Sequence, residues 1–160
     1  MKCSIISVVV VLIFGTTAIH AQPLRMKGII EQHNHWRKEV GVPPLKWSVK
    51  LAKQAEAWAT SQSKKDCKCA HSTDQMYGEN LYCSTGIIND PGAVVNSWAA
   101  ENKFYNPSNG KCKGGECGHY TQIVWRGTTE VGCAMVRCGD KELWVCNYNP
   151  PGNYLNKKAY

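Results

Sequence analysis

The sequence lacks a second apolar run that is long enough to cross a bilayer. Its one extended run, from Ile5 to Phe14, begins shortly after Lys2 and is followed by the small residue Ala21. A charged start, a short apolar centre and a small residue are typical of a signal peptide, whereas a membrane-spanning helix needs about 20 apolar residues. We therefore predict a signal peptide over residues 1–21 and a mature protein that is secreted without an anchor.

Internal repeats, low-complexity tracts and usable N-glycosylation sequons are also absent, since Pro107 blocks the sequon-like stretch that begins at Asn106. Removal of 21 residues from 160 leaves 139, which is the size of one ordinary domain with one core. We predict a single, monomeric domain over residues 22–160.

A basic stripe with interleaved aromatic residues, which is typical of nucleic-acid-binding proteins, is missing as well. Without the signal peptide the chain has 18 basic and 12 acidic residues, a net charge of +6, and one group of lysines comprises Lys64, Lys65 and Lys68. This charge favours an anionic membrane surface or a polysaccharide as partner. The alternative is that the charge only keeps a secreted protein soluble.

Cysteine is abundant. Nine cysteines are present, and Cys3 is lost with the signal peptide. Eight remain, an even number in an oxidising compartment, which predicts four disulfides. A cysteine nucleophile is not expected, since every mature cysteine has a possible disulfide partner.

Three stretches have the apolar periodicity of amphipathic helices: residues 24–40, 48–62 and 90–105. Ser48 is a suitable N-cap for the second helix, and Asp90 precedes a proline that favours the first turn of the third. Each predicted helix has one apolar face.

Two short β-favouring segments, residues 131–138 and 142–148, are separated by Gly139 and Asp140. This arrangement is a typical hairpin signal. Residues 64–89 and 106–118 are predicted to be irregular. The sequence therefore predicts an α+β fold in which helices cover a small antiparallel sheet.

Four histidine and glutamate residues lie where glycine, aromatic and cysteine residues crowd together: His71, Glu79, Glu101 and His119. Spacing alone does not show that they converge, because no short metal motif such as His-Glu-x-x-His is present.

Two longer strings are more specific. Residues 118–125 read Gly-His-Tyr-Thr-Gln-Ile-Val-Trp, and residues 146–154 read Cys-Asn-Tyr-Asn-Pro-Pro-Gly-Asn-Tyr. Both resemble signatures of the CAP superfamily, which includes plant pathogenesis-related proteins of the first class, cysteine-rich secretory proteins and venom allergens. Shorter matches over residues 33–37, 40–47 and 77–81 extend the resemblance to nearly the whole mature chain.

The resemblance implies an α-β-α sandwich with a cleft lined by His71, Glu79, Glu101 and His119. In the family such a tetrad can bind a divalent cation, chiefly through the histidines, here His71 and His119, and imidazole and carboxylate ligands suit zinc. The alternative is a hydrogen-bonded polar cluster that fixes loops. We predict no catalytic residue and no cation requirement for folding. Metal-assisted hydrolysis is the less favoured hypothesis. A serine hydrolase that uses Ser72 with His71 is not expected either, because adjacent residues on an extended chain point to opposite faces.

By the same resemblance, three disulfides pair Cys67 with Cys138, Cys112 with Cys117, and Cys133 with Cys146. Cys69 and Cys83 are left over, and we propose that they form a fourth, which closes a loop carrying His71 and Glu79. Pairing of Cys67 with Cys83 is the open alternative.

Some CAP proteins hold a fatty acid between helices or bind sterols. The leading hypothesis is therefore a non-catalytic protein, active in defence or host interaction, that binds small hydrophobic ligands. The expected groove is lined by residues on the first and third helices: Ile29, Ile30, Val94, Val95 and Trp98. The alternative is that these helical stripes are core.

Two other hypotheses stay open. The tail over residues 150–160 resembles a segment that plant relatives release as a defence peptide, although it ends in Lys-Ala-Tyr where that segment has proline before its last tyrosine. On this first hypothesis the protein is the precursor of a C-terminal signalling peptide. On the second, surface loops bind a protein receptor and the tetrad is vestigial.

Overall fold

The computed structural model describes residues 22–73 and 76–160, so the predicted signal peptide lies outside the described residues. No helix within the described residues is long and apolar enough to cross a membrane. The helices are α1 (Ile29–Glu39), α2 (Val49–Ser63), α3 (Pro91–Ala99) and α4 (Gly118–Ile123), with 3₁₀ turns at Leu24–Met26 and Ala100–Phe104. The strands are β1 (Lys46–Trp47), β2 (Gly78–Thr85), β3 (Tyr105–Asn106), β4 (Lys111–Cys112), β5 (Glu130–Cys138) and β6 (Lys141–Asn149).

The predicted first helix is divided by Gly28. This residue has a φ of 99°, a left-handed conformation that glycine adopts without a steric penalty. Its N–H donates to Glu31 Oε2 at 3.0 Å, so the true α-helix begins at Ile29. At α3, the Asp90 carboxylate accepts hydrogen bonds from the N–H groups of Gly92 and Ala93, as the sequence predicts. Ser48 precedes α2 without a side-chain capping bond.

The main sheet has the strand order β1-β5-β6-β2. Strands β2, β6 and β5 are antiparallel, as the hairpin signal predicts, and β1 pairs in parallel with β5. Helix α2 packs closely on β5, and a Cβ at Gly132 would lie only 2.4 Å from the Ser48 carbonyl oxygen. Glycine is therefore required there.

Two apolar clusters lie on opposite faces of this sheet. The face toward α2 buries side chains of that helix and of the strands: Ala55, Ala59, Leu81, Ala134, Leu143 and Val145. The larger cluster combines α1, α3 and α4 with the other face, and includes Ile29, Val95, Trp98, Ile123, Trp144 and Tyr148. The helical layers on both sides confirm the predicted α-β-α sandwich.

The structure corrects the predicted lipid groove between the first and third helices. Ile29, Val94 and Val95 are 0% exposed and Trp98 is 3% exposed, and only Ile30 is half-buried against them. The same helical spacing serves a groove and a core face, so the pattern did not separate the two. These side chains pack in the core and line no open groove.

Four disulfides fasten the described chain: Cys67–Cys138, Cys69–Cys83, Cys112–Cys117 and Cys133–Cys146. They are the pairs implied by the resemblance together with the proposed fourth. Because Cys67 is bonded to Cys138, the alternative pairing of Cys67 with Cys83 does not form.

Candidate functional site

An open cavity of about 440 Å³ lies beside β2, one of the two edge strands of the main sheet. The residues that line it come from the segment before β2, from β2 itself, from α4 and its approach, and from the tail: His71, Glu79, Asn80, Glu116, Gly118, His119 and Asn153. The structure thus brings three of the four predicted tetrad residues to one cavity. The fourth, Glu101, lies behind His119.

The first half of the site is a pair formed by His71 and Glu79. Glu79 Oε1 accepts hydrogen bonds from His71 Nδ1 at 2.7 Å and from the Ser72 N–H at 2.9 Å. The glutamate side chain is 8% exposed, whereas the His71 side chain is 63% exposed. A buried carboxylate on a strand therefore orients an accessible imidazole.

The second half is built from His119 and Glu101. Glu101 Oε1 accepts from His119 Nδ1 at 2.6 Å, and its Oε2 accepts from the backbone N–H groups of His119 and Tyr120 at the start of α4. The indole of Trp98 stacks on the His119 ring, with centroids 6.3 Å apart and an interplanar angle of 18°. Trp98, predicted as a lipid contact, instead fixes this imidazole.

The two pairs have the same chemistry. Each Nδ1 lies at hydrogen-bond distance from a carboxylate, so in the neutral ring the Nδ1–H donates and Nε2 keeps its lone pair. Neither Nε2 has a hydrogen-bond partner among the described residues. Carboxylate-bound histidine is the usual arrangement of a metal-ligating histidine. Among residues 22–73 and 76–160, no group of three or more histidine, cysteine or acidic side chains is placed to hold an ion. The described residues of this cavity therefore offer an ion two imidazoles, His71 and His119, and no group of three ligands.

The sequence reasoning missed three residues at the cavity. Asn80 donates from Nδ2 to the His119 carbonyl at 3.1 Å, and the alternation of side chains along β2 places it on the opposite face from Glu79. Asn153 donates from Nδ2 to the Gly118 carbonyl at 2.9 Å. Asn80 and Asn153 lie within the matched strings, which was a usable signal. Glu116 lies in a glycine- and lysine-rich loop outside those strings, so no sequence signal pointed to it.

Comparison with known proteins supports the resemblance. A family model described as the cysteine-rich secretory protein family, CAP, matches residues 30–148. The STS14 protein of Solanum tuberosum is 44% identical over 135 residues, which span 82% of this chain and 63% of the relative. Pathogenesis-related protein 1 of Arabidopsis thaliana is 39% identical over 165 residues, and the match covers 100% of both chains.

Solved structures share the fold. Schistosoma mansoni venom allergen-like protein 4 matches with a TM-score of 0.69 and 30% identity, over 87% of this chain and 95% of that one. A crystal structure of NaASP2 with Zn²⁺ matches with a TM-score of 0.71 and 25% identity, over 85% and 84% of the two chains. The family match over residues 30–148, the full-length likeness to a pathogenesis-related protein and the shared three-layer fold show that this chain belongs to the CAP family.

Proposed function

We propose that the protein is a secreted, non-catalytic defence protein whose cleft binds a divalent cation through His71 and His119, with zinc as the best match. The observation that carries this proposal is a pair of imidazoles at one cavity: their Nδ1 atoms are held by carboxylates, and their Nε2 atoms have no hydrogen-bond partner among the described residues. The names of the relatives support a role in defence.

The donor set fits zinc chemically. Neutral imidazole nitrogen is a common zinc ligand, and positions not filled by protein would be filled by water. Glu79 and Glu101 orient the two rings, and Glu116 at the cavity adds negative charge. A structure of the family member NaASP2 was determined with Zn²⁺. With two protein ligands, the ion would bind less tightly than at a three-ligand site.

Isothermal titration of the mature protein with zinc tests the proposal. We expect His71→Ala combined with His119→Ala to weaken binding by about tenfold or more, and Glu79→Gln to weaken it by about tenfold through loss of ring orientation. His35→Ala is the matched control, since His35 is exposed on α1 and should bind zinc as the wild type does. Unchanged zinc affinity in the double variant would place the ion elsewhere.

A second ligand class, small hydrophobic molecules such as fatty acids or sterols, is favoured by a different cavity of about 250 Å³. It lies between the first 3₁₀ turn, α2 and β5, and its apolar walls include Met26, Trp47, Val49 and Ala52. Trp47 Nε1 is buried and has no hydrogen-bond partner among the described residues. Lys53, Arg25 and Glu56 line the same cavity, and Arg25 is paired with Glu56 at 3.5 Å. A ligand with an apolar body and an oxygen acceptor would satisfy the indole and, if anionic, would meet the Lys53 ammonium.

Native lipid extraction with mass spectrometry, followed by fatty-acid and sterol competition, tests this assignment. We expect Ala52→Trp to fill the cavity and abolish saturable binding. The control is Ala57→Trp on the same helix, which is exposed and does not line this cavity. Lipid should also survive loss of both cleft histidines. Retention of ligand by Ala52→Trp, or no saturable binding by the wild type, would contradict the proposal.

A further inference from the structure

We propose that the protein docks on anionic lipid bilayers through one end of its sheet, a surface defined by Ile87, Ile88, Lys64, Lys65 and Lys68. This docking surface shares no residue with the cleft or with the apolar cavity. Its test is therefore independent of both proposed ligands.

The apolar part of the docking surface is the loop that follows β2. Ile87 is 60% exposed and Ile88 is 78% exposed, and neither belongs to the two core clusters. Single exposed apolar residues are common, but two adjacent isoleucines at a loop tip form a compact apolar projection. Such a projection gains free energy when it enters a hydrocarbon phase.

The loop is held firmly on both sides. Before the isoleucines, the Gly86 N–H donates to the Asp140 carbonyl at 2.8 Å. After them, Asn89 Nδ2 donates to Ser84 Oγ at 2.7 Å and to Glu142 Oε2 at 2.8 Å. The two side chains are thus presented in a fixed arrangement, so docking does not require the loop to be ordered first.

The lysines lie at the same end of the sheet. Cys67–Cys138 and Cys69–Cys83 flank Lys68 and fasten it to β5 and β2. Lys64 and Lys65 follow the end of α2, where the Ser63 carbonyl contacts Cys138 Sγ at 3.7 Å. All three lysines are exposed.

The acidic residues of this end are mostly neutralised. Asp66 is paired with Lys141, and the buried Glu142 is paired with Arg137. Asp140, in the turn between β5 and β6, forms no ion pair with a described residue. Asp90, two residues after Ile88, caps α3 through backbone N–H groups and likewise forms no ion pair with a described residue. Three lysines without a carboxylate partner therefore face two uncompensated acidic side chains, and the local field stays positive.

The combination of charge and apolar tip identifies the partner. An anionic polysaccharide would use the lysines alone and leave the isoleucines in water. A bilayer with anionic headgroups uses both, because each lysine near the surface attracts headgroups and the isoleucines enter the acyl boundary.

Vesicle co-sedimentation with the mature protein tests the proposal, with phosphatidylcholine vesicles compared with phosphatidylcholine vesicles that contain phosphatidylserine. We expect binding only to the anionic vesicles, and weaker binding as salt is raised. Ile87→Ser with Ile88→Ser should weaken binding by about tenfold or more, and Lys64→Ser with Lys65→Ser by about fivefold per lysine.

Matched controls come from the exposed tail. Leu155 is 91% exposed, so Leu155→Ser controls for loss of an exposed apolar residue, and Lys157→Ser with Lys158→Ser controls for loss of charge. All variants should unfold at the wild-type temperature. The proposal is overturned if the wild type does not bind anionic vesicles, if the tail variants weaken binding as much, or if binding is unaffected by the isoleucine changes. It is also overturned if the protein binds an acidic polysaccharide such as polygalacturonate more tightly than the anionic vesicles.

Discussion

His33 illustrates at the scale of a residue how the core depends on one protonation state. It is 0% exposed, its Nδ1 donates to the Ile29 carbonyl at 2.8 Å, and its Nε2 accepts from the Tyr148 hydroxyl at 2.8 Å. That hydroxyl accepts in turn from Asn80 Nδ2 at 3.2 Å. Every polar atom of the neutral ring is satisfied, and burial lowers the pKa of His33 to about 4.

This depressed pKa predicts a specific loss of stability in mild acid. Below about pH 6.5 the unfolded chain binds a proton at His33 that the folded chain does not bind until about pH 4. The free energy of unfolding should therefore fall by about 3 kcal/mol between these pH values. Urea unfolding across this range measures the change.

His33→Gln should remove most of this fall in the free energy of unfolding with pH. His35→Gln should retain the fall, because His35 is exposed. Glu142 should not interfere. Although burial raises the pKa of Glu142, hydrogen bonds from Asn89, Arg137 and Trp144 lower it to about 2, so its contribution is lost below about pH 4.5. If the free energy of unfolding of His33→Gln fell as much as that of the wild type over this pH range, a group other than His33 would be responsible.

At the scale of elements, the Cys69–Cys83 disulfide ties the segment that carries His71 to strand β2. Its two cysteines are 14 residues apart. Cys69→Ser with Cys83→Ser should lower the free energy of unfolding by about 3 kcal/mol. It should also weaken zinc binding, because the segment that carries His71 then loses its covalent link to β2 and is held there by hydrogen bonds, including those from His71 and Ser72 to Glu79 and from Trp58 to the Ala70 carbonyl.

Cys133–Cys146 provides the control, since it has a similar separation of 13 residues and joins β5 to β6, which carry no cleft histidine. Its removal should cost comparable stability and leave zinc affinity unchanged. Equal zinc affinities in the two double variants, measured where both are folded, would show that the loop needs no tether.

The elements also show what the sequence determines locally and what it does not. Helix α2 and the β5–β6 hairpin were predictable, because apolar periodicity and the Gly139-Asp140 turn are local signals. Strand β2 was predicted to be irregular, since it lies in a stretch rich in cysteine, glycine and polar residues, and glycine and asparagine are depleted in strands. It forms because β6 pairs with it along its whole length.

The cleft required a different kind of information. His71 and His119 are brought together by the tertiary fold, which no local pattern specifies, and the family resemblance supplied their convergence. The same limit explains why Ile29 and Val94 were assigned to a groove. Helical spacing identifies an apolar face but not what covers it.

At the scale of the whole molecule, the tail over residues 150–160 is exposed in its middle and anchored at its end. Ala159 is 2% exposed; its N–H donates to the Tyr105 hydroxyl at 3.0 Å, and its carbonyl accepts from the Arg126 N–H at 2.7 Å. The Tyr160 hydroxyl contacts that of Tyr120 at 3.3 Å. The end of the chain is thus part of the core.

This anchoring predicts the behaviour of a cleaved tail. If a protease cuts within the exposed residues 153–158, we expect the C-terminal fragment to remain with the body in gel filtration and to separate only in denaturant. Deletion of Ala159 and Tyr160 should lower the free energy of unfolding by about 2 kcal/mol. Immediate separation of the fragment in native buffer would instead favour a tail that is released as a peptide.

Strand β2 has a mechanical consequence for the cleft. Glu79 holds the His71 ring from one face of the sheet, and the next residue, Asn80, holds the His119 backbone from the other. The two sides of the cleft are therefore held by consecutive residues of β2, whose Cα atoms are about 3.8 Å apart. The width of the cleft should therefore be fixed by the backbone of β2, and an ion that binds both imidazoles would have to fit that width.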